Sequence, residues 1–510
     1  MTPLSSRAFA LLAAVVLAVV PAACGSSASG GADGDPRGRL KVGAAAIPSS
    51  LDPRKSAPYE AQWIGMLYDT LIQRAPDGTF EPALAESWTL SDDGLVLDLT
   101  LRAGVTFQDG APFDAAAVKA NLDAAKAGGT NFSAQLADVE SVEVVDDRHV
   151  RLRMARAAAP MLGVLAGEAG MIINPARLGD DLSRAGAGAG PFKLDKFEGP
   201  RLEFTAWDGY WNADAVKVSG VDIDVFIDDS ARLRALRSRQ LDTAFVIPAQ
   251  VREVEASGLT LLRPAIAESF WGVLVNTGRR ELADPRVRKA MMLALDREAL
   301  ARNVFGESGC TPSAQPFDPK DWAYSAAIEE LPEVQHDPGR ARQLLAEAGL
   351  PNGFSIELQV GTAQNYTQIG QILQSQWGAI GITVNLRPME NVQFVTARRN
   401  GEFDATVSVY LNARPDQSVF VQNFLLPGGI FNPGGYDQPG TAELLARSSS
   451  SFDPTVRGRA MHELMTAVLT SGPPIMPICT APRLAAHRDT VEDLDMTLDT
   501  KFVGVGVTTA

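Results

Sequence analysis

The sequence predicts a mixed α/β protein with more than one lobe. Its 510 residues exceed the ~250–300 residues at which a single hydrophobic core stops growing. Segments that alternate apolar and polar residues are interspersed along the chain with segments of helical periodicity. No repeat with a period of roughly 20–50 residues occurs, which excludes solenoids and propellers. Together these observations favour an α/β to α+β architecture.

The strands are predicted from apolar runs and from alternation with a period of two. Residues 95–102 and 149–156 alternate strictly, as half-buried antiparallel strands do. Residues 39–46 form a short apolar opening strand. Further strands are predicted at residues 218–228, 354–360, 382–386 and 403–411.

Two helices are marked by Asp-Pro pairs, which supply an N-cap and a proline at the first helical position. After Asp284-Pro285, one apolar face is formed by Val287, Ala290, Met291, Ala294 and Leu295. Asp337-Pro338 opens a second helix, which ends at Gly349. A third helix, at residues 230–240, carries four arginines, and in an acidic protein these indicate a solvated face.

The N-terminus is predicted to be an export signal (residues 1–23) and a flexible tether (residues 24–38). Arg7 precedes an apolar run at residues 8–20, which is too short to span ~30 Å of hydrocarbon. Small residues then lead to Cys24, as in a bacterial lipoprotein signal, where the cysteine is acylated. Pro21 departs from the leucine usual at that position, so a plain secretory signal cut elsewhere stays open. The Gly-, Ser- and Ala-rich residues 25–38 predict the tether.

Charge and motif content exclude several functional classes. Lys and Arg number 46 against 61 Asp and Glu, a formal net charge of −15, so a broad nucleic-acid-binding surface is not expected. None of the four histidines lies within five residues of another histidine or of a cysteine, so zinc-type spacings are absent. Residues 185–191 (AGAGAGP) lack the third glycine of a dinucleotide loop and precede a strand, which favours a chain reversal. We therefore expect no catalytic residue, no metal site and no cofactor.

Cys310 and Cys479 remain after removal of the signal. In an oxidising compartment they either pair or stay as two small buried thiols. Nothing in the sequence decides between these alternatives.

A set of phrases runs through the chain in one order, namely Ser50-Leu51-Asp52-Pro53, Leu67-Tyr68-Asp69-Thr70-Leu71, residues 82–88 (PALAESW), residues 101–110 (LRAGVTFQDG), Gly190-Pro191-Phe192, Asn276-Thr277, residues 284–290 (DPRVRKA) and His336-Asp337-Pro338. With these phrases the chain resembles the peptide/nickel class (family 5) of extracytoplasmic solute-binding proteins of ABC importers, which includes dipeptide- and oligopeptide-binding lipoproteins. The resemblance runs from about residue 40 to 505. Most of the phrases are scaffold: Asp109-Gly110 is a turn, and Asp284 and Asp337 are helix caps.

The resemblance implies a two-lobed periplasmic-binding-protein fold with two crossover hinge strands and a subdomain inserted in lobe I. Lobe I is expected at residues 39–274 and 480–510, the insertion at about 85–185 and lobe II at 275–479. The crossings are expected at residues 269–277 and 474–481. A ligand would be captured in the cleft between the lobes and delivered to the permease and ATPase subunits of the importer. The implied protein is a monomer and not an enzyme, held by its lipid on the outer face of the cytoplasmic membrane, with no nucleic-acid partner.

The candidate ligand-binding residues follow from the same resemblance. Dipeptide-binding members fix the ends of the ligand with an arginine and an aspartate, and alignment places Gln364 and Leu411 there, with Asn412 beside Leu411. A tight dipeptide site of that design is therefore not expected. Arg414 and Asp416 are either different anchors or rim residues. Four aromatic residues near the expected cleft are either ligand contacts or core: Tyr59, Trp271, Tyr366 and Tyr410.

Peptides are the ligands that this resemblance favours. An oligosaccharide, a nickel chelate or another non-peptide metabolite is the alternative within the same class. An extracellular chaperone or a cell-wall interaction protein that reuses the fold is the alternative from another class.

Overall fold

The computed structural model describes residues 37–56, 60–157, 159–307, 309–362, 364–411, 416–496 and 500–508. The predicted signal, Cys24 and the tether up to residue 36 lie outside this range. The strands of the described residues are β1 (Arg39–Ala44), β2 (Ile72–Arg74), β3 (Phe80–Pro82), β4 (Ala85–Leu90), β5 (Val96–Leu101), β6 (Val139–Asp146), β7 (His149–Met154), β8 (Phe192–Glu198), β9 (Arg201–Ala206), β10 (Gly220–Val225), β11 (Thr243–Phe245), β12 (Thr260–Leu262), β13 (Ser269–Val275), β14 (Thr311–Pro312), β15 (Phe354–Gly361), β16 (Ile382–Met389), β17 (Ala405–Leu411), β18 (Ile475–Ala481), β19 (Ala485–His487), β20 (Val491–Glu492) and β21 (Gly506–Val507).

The α-helices of the described residues are α1 (Ala61–Ile64), α2 (Ala115–Lys126), α3 (Met161–Ala166), α4 (Asp229–Arg237), α5 (Val251–Ala256), α6 (Pro285–Leu293), α7 (Arg297–Phe305), α8 (Ala326–Glu329), α9 (Pro338–Glu347), α10 (Gln364–Gly378), α11 (Asn391–Arg399), α12 (Ser418–Phe424), α13 (Thr441–Ser449) and α14 (Pro454–Ser471). Across the described part of the chain, none of them combines the length and the apolar character that a membrane crossing needs.

Lobe I is built on a seven-stranded mixed sheet with the order β12-β19-β11-β1-β10-β9-β8. The opening strand β1 lies at its centre and pairs in parallel with β10 and β11. A buried lysine ties the C-terminal segment to this lobe: Lys501 pairs with Asp69, which also accepts hydrogen bonds from Tyr210 (2.9 Å) and Trp211 (2.7 Å). A buried carboxylate needs such partners, because without them its desolvation would favour the neutral acid.

The subdomain inserted in lobe I is a four-stranded antiparallel sheet, β4-β5-β7-β6, covered by α2. The two segments predicted from strict alternation are its central strands β5 and β7, which pair directly. Asp114 caps α2 by accepting a hydrogen bond from the amide of Ala117 (2.8 Å). Phe452, from the turn between α13 and α14, packs against the core of this subdomain, and the amide of Ala159 donates to the carbonyl of Ser449 (2.9 Å).

Lobe II is built on a six-stranded sheet with the order β14-β18-β13-β17-β15-β16. Both predicted Asp-Pro helix starts are confirmed: the carboxylate of Asp284 accepts from the amide of Arg286, and that of Asp337 accepts from the amide of Arg340, each at 2.8 Å. Every residue of the apolar face predicted for α6 and the turn after it is buried. The helices therefore begin where the sequence indicates, and their apolar faces cover the sheet.

Residues 185–191 lie outside the helices and strands, directly before β8. Gly188 and Gly190 lie against the backbone of Leu67 and Tyr68, where an added Cβ atom at either glycine would come within about 2.5 Å of main-chain atoms. The glycine repeat thus serves a close approach of two chain segments.

The two hinge strands β13 and β18 are antiparallel neighbours in the sheet of lobe II, with Ser269 opposite Ala481. The chain consequently passes between the two sheets just before Ser269 and just after Ala481. The domain limits expected at residues 274 and 479 remain a proposal. Because β13 and β18 pair within the sheet of lobe II, the strand pairing favours limits just before Ser269 and just after Ala481.

Cys310 and Cys479 form a disulfide bond with a Cα–Cα distance of 5.6 Å. The bond links the segment between α7 and β14 to the hinge strand β18. Cys479 lies opposite Trp271 in the β13–β18 register. The structure therefore resolves the alternatives left open by the sequence in favour of pairing.

Candidate functional site

A cavity of about 380 Å³ lies at the hinge strands, between lobe I and lobe II. Its lobe I wall comes from turns that follow strands and from the first turns of α1 and α4. Its lobe II wall comes from β13, β17, the last residue of α7 and the first turn of α10. The lining residues are Ala45, Ala46, Ile47, Pro48, Glu60, Gln62, Trp63, Asp229, Arg232, Phe245, Val246, Ile247, Pro248, Ser269, Trp271, Phe305, Gly309, Asn365, Val409, Ala481, Pro482, Arg483 and Leu484.

Aromatic side chains form the apolar part of the lining. Trp271, at the centre of the hinge strand β13, is 8% exposed and contacts the rings of Tyr366 and Phe305 at centroid distances of 4.8 and 5.4 Å. In lobe I, the ring of Trp63 meets that of Phe245 edge to face at 6.3 Å. Such walls bind flat or apolar parts of a ligand, while nearby polar groups fix its orientation.

Four charged side chains line the same cavity, all from lobe I. Glu60 accepts hydrogen bonds from the amide (2.5 Å) and hydroxyl (2.9 Å) of Ser49. Arg232 pairs with Asp229 and donates to two backbone carbonyls at 2.7 Å each. The guanidinium of Arg483 lies over the ring of Phe245, 4.3 Å from its centroid. The charged part of the wall therefore belongs to lobe I, and the apolar surface belongs to both lobes.

The sequence-derived candidates fall into different places. Trp271 lines the cavity, and Tyr366 packs directly behind it. Gln364 is the first residue of α10, next to the cavity-lining Asn365. Leu411 is half-buried at the end of β17, opposite Ser269. Tyr59, Asn412 and Arg414 lie outside the described residues.

Tyr410 does not line the cavity, and its placement there is corrected by the structure. It is 3% exposed, and its ring packs on Phe270 at 5.4 Å and on Phe424 at 5.1 Å, on the opposite face of the sheet. The pleat of β17 sends neighbouring side chains to opposite faces, so Val409 reaches the cavity instead. Burial raises the pKa of the Tyr410 hydroxyl, as expected for a core residue.

Asp416 does not line the hinge cavity and is instead engaged in an ion pair within lobe II. It is 2% exposed and makes a bidentate ion pair with Arg457, at 2.7 and 2.9 Å. Burial opposes ionisation of this carboxyl, but the charge and hydrogen bonds of Arg457 outweigh it and lower the pKa of Asp416. Arg457 also lies over the ring of Trp322, at 4.3 Å. The pair is therefore part of the lobe II structure.

A second cavity, of about 360 Å³, lies between the loop at residues 74–80 and the part of lobe II that holds this ion pair. Asp321 lines it, and its carboxylate accepts a hydrogen bond from the side chain of Gln417 at 2.5 Å. Burial raises the pKa of Asp321 to about 6.

Sequence reasoning missed most of the lobe I wall, including Trp63, Phe245 and Arg483. Phe245 and Arg483 are 238 positions apart in the chain and meet because β11 and β19 pair, with Phe245 opposite Ala485. The one feature of the local sequence that points to this wall is Arg483, a charged residue two positions after the fully buried strand β18.

Residues 79–432 match the sequence model of a family described as bacterial extracellular solute-binding proteins, family 5 Middle. The chain belongs to this family. Family 5 proteins are extracytoplasmic solute-binding components of ABC importers, which work with a permease and an ATPase. The expected two-lobed fold is also confirmed, as the similar solved structures below show.

Among its relatives, this family 5 protein is 28% identical over 474 residues to the glutathione-binding protein GsiB of Salmonella paratyphi A (strain ATCC 9150 / SARB42), covering 89% of this chain and 91% of that protein. Two solved structures share the fold. The periplasmic binding protein AgaA from A.tumefacien R10, in complex with agropinic acid, superposes with a TM-score of 0.80 at 24% identity, covering 93% of this chain and 99% of AgaA. DppA from Helicobacter pylori, in complex with the peptide STSA, gives 0.79 at 22% identity, covering 92% and 98%.

Proposed function

We propose that this protein is the lipid-anchored binding component of an ABC importer and captures short peptides or a related small solute at the hinge. The observation that carries the proposal is the cavity of about 380 Å³ between the lobes. Small-molecule sites have volumes of ~300–1,000 Å³, so this cavity suits a solute of a few residues rather than a long chain.

The chemistry of the lining supports the same class of ligand. Trp271 and Trp63 give the lining its apolar surface, and Glu60, Gln62 and Arg483 make part of it polar and charged. A short peptide presents the same mixture of apolar side chains and polar main-chain groups. The relative GsiB is named for binding glutathione, a tripeptide, and glutathione is therefore the first ligand to test.

The proposed mechanism is closure about the hinge strands. β13 and β18 are neighbours, so the two connections between the lobes lie side by side and permit one bending motion. A ligand that touches both walls stabilises the closed form by its differential affinity for that form. The permease would then recognise the closed protein, while acylated Cys24 and the tether at residues 25–38 keep it at the membrane.

Native mass spectrometry of freshly purified protein tests the proposal first, because it identifies any retained solute. Calorimetry with reduced glutathione, Ala-Ala and a tetrapeptide then measures affinities. Val409→Trp fills the cavity from the exposed face of β17 and should weaken the binding of every such ligand. Val145→Trp, at a position 56% exposed in the inserted subdomain, is the matched control and should leave binding unchanged.

If no small solute is retained or bound, the proposed function fails. Binding of unfolded chains or of cell-wall fragments in its place would favour a chaperone or cell-wall interaction protein. Equal binding by Val409→Trp and Val145→Trp would place the ligand site elsewhere.

A further inference from the structure

The second cavity, of about 360 Å³, shares no lining residue with the hinge cavity among the described residues. Lobe I borders it with the hairpin turn between β2 and β3 and with the segment before β13. Lobe II borders it with the segment between β14 and α8, the residues after β17 and the start of α14. Its volume lies within the range of small-molecule sites, ~300–1,000 Å³. A ligand in this cavity would therefore contact both lobes.

Three half-buried aromatic side chains form its apolar wall. Phe80, from the hairpin, and Phe452, from the turn before α14, pack against the core of the inserted subdomain. Trp322 packs against the core of lobe II. Each ring is thus supported by a core on one side and borders the cavity on another. Such a wall suits a ligand with an apolar or aromatic part.

Acidic side chains outnumber basic ones along the same wall. The acidic residues are Asp77, Glu268, Asp321 and Asp416, and the basic residues are Arg74, Lys320 and Arg457. Asp416 and Arg457 pair with each other, and Lys320 donates to the carbonyl of Ala265 at 3.1 Å. This balance of charge favours a cation over an anion in the cavity.

Asp321 is the carboxylate that the protein leaves without an ion pair. It is 9% exposed and accepts from the amide of Ala323 (2.8 Å) and the side chain of Gln417 (2.5 Å). A carboxylate has about four acceptor positions. The charge of Arg74 acts on it, but within the described part of the chain no lysine or arginine forms an ion pair with it, in contrast to Asp416. A buried carboxylate of this kind is costly, because burial favours its neutral form.

We propose that the second cavity binds a small organic ammonium ion, with its charged group on the carboxylate of Asp321 and its apolar part against Trp322, Phe80 and Phe452. The ammonium group supplies the counter-charge and fills acceptor positions of the carboxylate. Aromatic rings near the charge add to the attraction. The inference goes beyond the proposed function, because it concerns a second ligand in a different cavity.

Paired probes test this inference: phenethylamine, which is protonated at neutral pH, and phenethyl alcohol, which has nearly the same shape but no charge. In calorimetry near neutral pH, the wild type should prefer the amine by about 10- to 100-fold, the usual effect of hydrogen bonds to a charged group. Asp321→Asn should reduce that preference to near unity. Asp437→Asn is the matched control, because this aspartate is exposed in lobe II outside the cavity, and it should leave the preference intact.

A measurement on the wild type alone gives a second test. Burial raises the pKa of Asp321 to about 6, whereas the pKa values of Asp77 and Asp416 are lowered, the first by hydrogen bonds from Thr79 and the second by Arg457. Protonation of Asp321 should therefore reduce the preference for the amine by up to about tenfold between about pH 7.5 and pH 5, since the amine stays charged over this range.

Two cavity-filling variants locate the probe. Thr79→Trp, at an exposed position of the hairpin turn, fills the second cavity and should weaken the binding of both probes, whereas Val409→Trp fills the hinge cavity and should still bind them. The inference is overturned if the wild type binds amine and alcohol equally or binds neither at millimolar concentration. It is also overturned if Asp321→Asn keeps the preference, or if Val409→Trp loses the probes while Thr79→Trp binds them. Each of these results leaves the proposed function standing, because that function concerns ligands of the hinge cavity.

Discussion

Leu411→Asp should create tight dipeptide binding in a protein that otherwise lacks it. The family resemblance aligns Leu411 with the aspartate that is expected to meet the ligand's ammonium group in dipeptide-binding members. It is half-buried, opposite Ser269, and two positions from the cavity-lining Val409, so its side chain leaves β17 on the cavity face. The substitution therefore directs a carboxylate toward the ligand without altering the core face of the strand.

The expected gain in affinity for Ala-Ala follows from the partial burial of position 411. A hydrogen bond to a charged group contributes ~1.5–3 kcal/mol, which corresponds to about 10- to 100-fold in affinity. With neither Leu411 nor Gln364 supplying a charge, we expect the wild type to bind simple dipeptides more weakly than ~100 μM. Leu411→Asp should bring the dissociation constant of Ala-Ala to about 1–10 μM.

Isothermal titration calorimetry with Ala-Ala measures the effect directly. Leu411→Asn is the matched control, because it has nearly the shape of aspartate but no charge, and it should bind Ala-Ala about as weakly as the wild type. Equal affinities for the Asp and Asn variants would refute the reasoning, since the charge would then not reach the ligand. A submicromolar dissociation constant for the wild type would show that the alignment at Leu411 and Gln364 is wrong.

Three further outcomes follow from buried groups and from the N-terminus. Arg457→Ala should lower the free energy of unfolding in urea by ~3–5 kcal/mol, because it leaves Asp416 charged and buried. The control Arg447→Ala removes an ion pair on the surface and should lower the free energy of unfolding by only ~0–1 kcal/mol. Similar losses in the two variants would contradict this reasoning. Burial raises the pKa of Asp321 to about 6, so the native state keeps this proton to a higher pH than the unfolded state, and the wild type should lose roughly 2–4 kcal/mol of stability between pH 4 and 7. Asp321→Asn should abolish this loss. An unchanged pH profile in the variant would contradict the burial argument. Cys24→Ala should release the protein from membranes in a fractionation experiment, and unchanged membrane retention would remove the lipid anchor.

Local signals in the sequence were sufficient for the scaffold. Asp284 and Asp337 define the starts of α6 and α9 because a side-chain cap and a proline act within one helical turn. The alternation at residues 95–102 and 149–156 predicts two strands, which the structure pairs as β5 and β7. These features depend on neighbouring residues, so they are readable without knowledge of the tertiary fold.

The binding wall depends instead on distant pairings. Period-two alternation shows that Val409 and Tyr410 lie on opposite faces of β17, but only the position of β17 beside β13 decides which face borders the cavity. In the same way, the disulfide joins residues 169 positions apart. Arg483 reaches Phe245 through the pairing of β11 with β19.

The scaffold and the binding wall also occupy different parts of the chain. The phrases that identify the family are caps, turns and core residues, such as Asp284 and Asp109-Gly110, whereas lobe I meets the cavity with the turns at residues 45–48, 246–248 and 481–484. Turns that follow strand ends accept substitution more readily than buried strands, because their side chains support less of the core. Specificity in this protein should therefore change through residues of these turns while the two sheets and the hinge strands persist, which is why the sequence identifies the family more readily than the ligand.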